Sequence, residues 1–257
     1  MSDLISFVEG VGLTLLVKGE VYKFMSTVFD ASSEAIVKFL ENEVRCFNLE
    51  RVAKALENSF EELKKAGLEP RAVSYKYLLP ILEGISLEEE SYLQKKWTKL
   101  LSSAVLTGEI HPSYPSILSD LGSLDSKILD KIAELESAIK PREVSEFGVF
   151  VELLREFNVS EVLIKSVEIS TNRVSFKSGA FDSLSESEMK DYQEAREIFS
   201  ESVDNLERLK LIYPSGERPP KKSKHGTMII GGWGYKRIEL TSFGQRFLKV
   251  LGTEFSE

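Results

Sequence analysis

Two histidines, His111 and His225, and one cysteine, Cys46, are the whole stock of imidazole and thiol groups in this chain. A zinc site needs two or three such ligands close together, so only one built mostly from carboxylates could be assembled here. No His-Glu-x-x-His helix and no Gly-x-Ser-x-Gly elbow is present. Gly226 and Gly231 have the spacing of a phosphate-binding loop, but Gly232 stands where the lysine must be, and without its ammonium the loop cannot hold a phosphate. His111 precedes Pro112 at the approach to a helix. It could act as a general base, but a turn-packing role is the expectation. No cofactor and no small-molecule substrate is called for.

One constellation rises above this background. From Gly216 to Arg237 there are six basic residues, Arg218, Lys221, Lys222, Lys224, Lys236 and Arg237, against the single acid Glu217. The window is +5 in a chain of net charge −8, which leaves −13 on the remainder. Such a cluster can neutralise a phosphate backbone, or it can simply keep an exposed loop solvated. Trp233 falls in the same window, in a glycine-rich turn, as either a packed lid or an exposed contact residue.

These residues need elements to place them. Helical periodicity runs from Ser32 to about Glu168. Leu49, Val52, Ala53, Leu56, Phe60 and Leu63 form one stripe, with Asn48 as cap and Gly67 as stop. A helix over 74–83 follows. Ser86 and Glu89 have capping-box spacing and open a long helix that turns Leu93, Trp97, Leu100, Leu101, Ala104 and Val105 inward and ends at Gly108. Pro112 and Pro115 mark the next turn. Ser123 is expected to cap a helix that buries Leu124, Ile128, Leu129, Ile132 and Leu135. Residues 147–157 continue the helical theme, and 161–168 are ambiguous between helix and strand. Polar, glycine-containing residues 170–184 read as a loop insertion. Ser185 and Glu188 form another capping box before a helix carrying Tyr192, Ala195, Ile198, Phe199, Val203, Leu206 and Leu209.

The pattern then changes. Leu211–Tyr213, Met228–Ile230 and Tyr235–Leu240 read as strands, with Gly231–Gly234 as a turn. Thr241 caps a closing helix with Phe243, Phe247, Leu248 and Leu251 inward, and Gly252 ends it. The fold class is therefore mainly α: a helical N-terminal body, then a winged-helix-like module with a β-hairpin or three-stranded sheet. The expected divisions are 1–31 as a mobile or partner-dependent N-terminal segment, 32–122 as a helical domain and 123–252 as the winged-helix-like domain.

Composition sets the bounds. Hydrophobic residues make up 42% and charged residues 29%, enough to build a core and too apolar for a disordered chain. A single cysteine permits no internal disulfide, in keeping with a cytoplasmic location. Its apolar setting points to a small buried side chain. The apolar stretch from Leu4 to Phe29 is broken by Glu9, Lys18, Glu20 and Lys23, whereas a spanning helix needs about 20 mostly apolar residues, so no membrane span is expected.

Several segments together resemble one family. They are Asn48–Val52, Pro70–Val73, Leu78–Glu90, Leu93–Ala104, His111–Tyr114, Leu121–Leu129, Asn205–Ile212 and Leu240–Gly244. The chain from about Arg45 to Leu251 is similar to the Abi-alpha family, which is prokaryotic and tied by name to abortive infection, a form of phage defence. The resemblance implies a biological role. It lends no catalytic residue.

Three functions compete. The first is a non-enzymatic phage-defence protein acting through contacts with a protein partner or with further copies of itself. The second is a nucleic-acid-binding regulator using residues 216–237. The third is a toxin nuclease built from carboxylates and metal. The helix before the basic window weighs against the second. Tyr192 to Ile212 holds five acids and three bases, net −2, and phosphates would repel it.

Overall fold

A computed structural model describes residues 19–31, 49–138, 144, 146–154, 157, 165, 167–170, 173–176, 179–215 and 237–252. Among them the chain is mainly helical, with nine helices and two short antiparallel strand pairs. It divides into two compact units. One comprises Met1–Asp120 with Val250–Gly252, and the other Leu121–Lys249 with Thr253–Glu257. No helix among the described residues is long and apolar enough to cross a membrane.

The first unit is built on α1 (Gly19–Phe29), α2 (Leu49–Ala66), α3 (Tyr75–Leu87), α4 (Ser91–Thr107) and α5 (Tyr114–Asp120). Helices α2, α3 and α4 pack on one another. Their shared core is Val52, Leu56, Leu78, Ile81, Leu82, Trp97, Leu100, Leu101 and Val105. Gly67 at φ +65 closes α2, where Leu68 N–H donates to Leu63 C=O and Gly67 N–H to Lys64 C=O. That is a Schellman ending, which favours glycine because the left-handed conformation crowds a Cβ. The described part of the N-terminal segment is packed. Phe24, Val28 and Phe29 are buried, and the Phe24 and Phe60 rings meet edge to face with centroids 5.5 Å apart.

One boundary differs from the sequence expectation. Helix α3 does not stop at Glu83 but runs through Gly84 to Leu87. A Cβ on Gly84 would lie 2.2 Å from the Trp97 ring. This glycine lets two helices approach and is not a terminator. Ser86 is consequently helical, with its hydroxyl donating to Glu83 C=O, and α4 begins after Glu90 with no side-chain cap. The capping box at Ser86 and Glu89 does not form.

The second unit holds α6 (Ser123–Ala138), α7 (Glu146–Glu152), β1 (Val167–Ser170), β2 (Arg173–Phe176), α8 (Glu186–Arg208), β3 (Ile212–Ser215), β4 (Arg237–Leu240) and α9 (Ser242–Val250). Its core joins Ile128, Leu129 and Ile132 of α6 with Val149 and Phe150 of α7 and Phe199, Val203 and Leu206 of α8. Phe150 lies at the centre of an aromatic group, 5.2 Å from Phe199 and 6.0 Å from Tyr192 by ring centroids. Helix α6 starts differently from expectation. Ser123 is its first helical residue, Gly122 occupies the cap position, and the Asp125 carboxylate accepts Gly122 N–H at 2.9 Å. At α8 the box forms as expected: Ser185 Oγ accepts Glu188 N–H while Glu188 Oε2 accepts Ser185 N–H.

Where a loop was expected from residue 170, β1 pairs with β2, with Val167 opposite Phe176 and Ile169 opposite Val174. Only residues 171–172 separate the strands. β-Branched and aromatic residues in alternation supply the strand preference that the surrounding serines and glycine obscured. The second pair sets Ile212 opposite Leu240 and Ser215 opposite Arg237. The expected middle strand, Met228–Ile230, lies outside the described residues, as do Cys46 and residues 1–18.

Candidate functional site

The basic window is tied to the fold by its stem. Strands β3 and β4 alternate across the sheet: Ile212, Ile238 and Leu240 are buried, while Tyr213 is exposed and hydrogen-bonded through its hydroxyl to Glu239. Arg237 begins β4, opposite Ser215 at the end of β3. Arg218, Lys221, Lys222, Lys224, Trp233 and Lys236 all belong to residues 216–236, outside the described residues.

Two bonds fix the edge of β4 away from β3. Ile238 N–H donates to Val144 C=O at 3.2 Å, and Leu240 N–H donates to Glu136 Oε1 at 2.7 Å. Glu136 comes from α6 and is 9% exposed. Burial raises its pKa above the ordinary 4.5, because the ionised carboxylate has lost its water; the Leu240 N–H opposes the rise, Glu239 adds to it, and a Gln245 hydrogen bond opposes it. Pro214 suits the other edge, since it has no N–H to leave unpaired there.

The turn out of α8 is held as tightly. Lys210 adopts φ +60. Thr241 Oγ1 donates to Lys210 C=O at 2.7 Å and accepts Gly244 N–H at 2.8 Å, so Thr241 caps α9 and clamps the turn together. A Cβ on Gly244 would lie 2.1 Å from Leu211 C=O. That backbone approach requires glycine.

Helix α8 presents a strongly acidic surface. Counted over its full span from Glu186 to Arg208, and not over Tyr192 to Ile212 alone, it carries eight acids and three bases, net −5. Tyr192, Ala195, Phe199, Val203 and Leu206 are buried. Glu194, Glu197, Glu201 and Asp204 are exposed along the opposite face, with Ile198 beside them at 42% exposure. The four acids span about 15 Å along the axis. Among the described residues none of them forms an ion pair.

Chemistry elsewhere is sparse among the described residues. No group of three or more His, Cys, Asp or Glu side chains there is placed to hold a metal ion. His111 is exposed, its Nδ1 accepts Ser113 N–H at 3.3 Å, and its ring lies 5.2 Å from that of Tyr114. This is the turn-packing arrangement. Between α2 and α4, buried Ser102 shares its hydroxyl with Ser59 and Glu62, each at 3.0 Å, and Lys99 pairs with Glu62 at 2.9 Å. These groups satisfy one another between two packed helices, which accounts for them structurally.

The profile of the family described as abortive infection alpha matches residues 47–251. The chain belongs to the abortive infection alpha family. No curated protein and no solved structure matches it. Segments that carry the family resemblance meet in space. Asn205 of the Asn205–Ile212 segment donates to Asp125 of the Leu121–Leu129 segment at 2.7 Å. Arg51 of Asn48–Val52 reaches Ser86 C=O at 3.3 Å and Glu89 at 3.4 Å, both in Leu78–Glu90. Gly84 and the Trp97 ring approach closely between Leu78–Glu90 and Leu93–Ala104.

Sequence reasoning missed Glu136 and the continuity of the acidic face. Both left a signal. Glu136 follows Ile128, Ile132 and Ala133 on the apolar stripe of α6, where a carboxylate is out of place. Glu194, Glu197, Glu201 and Asp204 recur at steps of three and four.

Proposed function

We propose that this chain is a phage-defence protein that acts without catalysis, by binding a protein partner through its C-terminal module. Family membership supports the defence role. The element order α6, α7, β1, β2, α8, β3, β4, α9, with Val144 against β4, supports a winged-helix reading of that module in which β1–β2 is an insertion before α8 and residues 216–236 are the wing. The observation that carries the mode of action is the outward face of α8. In a DNA-reading winged helix, the helix before the wing enters the major groove. Here that face bears Glu194, Glu197, Glu201 and Asp204. Phosphates repel it, and a basic protein surface complements it, with Ile198 as an apolar anchor. Retention of a partner from phage-infected cells by the intact chain, and its loss from the Glu197→Lys/Glu201→Lys variant, is the expected result. Equal retention by both contradicts the proposal.

The basic window favours a second reading, nucleic-acid binding through Lys221, Lys222 and their neighbours. It predicts duplex affinity that falls steeply with salt, and a shallower salt slope once both lysines are alanine. Affinity indifferent to those two substitutions removes it.

A further inference from the structure

We draw no further inference here: the strongest candidate, the outward face of α8 with Glu194, Glu197, Glu201, Asp204 and Ile198, belongs to the contact surface already proposed, and nothing among the described residues shows what covers it.

Discussion

Glu136 couples a helix to a strand through one buried carboxylate, and the coupling has a pH signature. Its folded pKa is raised, chiefly by burial. The folded chain therefore holds that proton more tightly than the unfolded chain does. The stability this contributes is full below the ordinary value of 4.5 and is lost as pH rises through the raised folded value. Glu136→Gln keeps an oxygen for Leu240 N–H and removes the charge. It should melt higher than the parent at pH 7 to 8, with the difference closing on acidification. Glu136→Ala should instead melt lower, by about 1–3 kcal/mol in stability, because Leu240 N–H is left buried without an acceptor. A Glu136→Gln melting curve that tracks the parent at every pH would show that the carboxylate is not held in its charged form against burial. The same scale shows why some residues misled. Gly84 has the look of a helix stop, yet its role is to admit the Trp97 ring. Only the identity of its neighbour across space decides between these uses. Gly84→Ala should cost about 1–3 kcal/mol by overpacking, read as a shift in denaturant midpoint.

Elements with a long apolar stripe were largely legible in the sequence: α4 buries every side chain its periodicity marks, α2 buries Val52, Leu56 and Leu63 and half-buries Ala53 and Phe60, and α8 buries Tyr192, Ala195, Phe199, Val203 and Leu206 but leaves Ile198 of the same reading exposed. The start of α8 was legible too, because a capping box is a local device. Ser185→Ala should lower stability by about 1 kcal/mol in chemical denaturation, with the slope of the transition unchanged. A change below the resolution of that experiment would mean the cap is replaced by solvent. The β1–β2 hairpin was not legible as such. Its two strands are four residues each, and their alternation is short beside the polar residues around it. The acidic face of α8 was read as net charge over a window, whereas its significance lies in which acids face outward. That selection is made by packing, since Phe199, Val203 and Leu206 turn inward and commit the opposite side to solvent.

At the scale of the whole molecule the charge is divided. An acidic chain carries one basic window, and that window departs from the strand pair that follows its acidic helix. The segments that carry the family resemblance hold contacts within the two units, as Asn205 with Asp125 and Arg51 with Glu89 show. The exposed side of α8 is the proposed working surface, and the defence phenotype should depend on the charge there. The most direct measurement is phage plaquing on cells carrying the intact gene or its Glu194→Lys/Glu197→Lys/Glu201→Lys variant, with the thermal melt of each protein recorded alongside. These positions are exposed and outside the core, so the variant should fold with a melting temperature close to the parent's. The folded variant should no longer protect. Full protection by a folded variant would contradict the proposal.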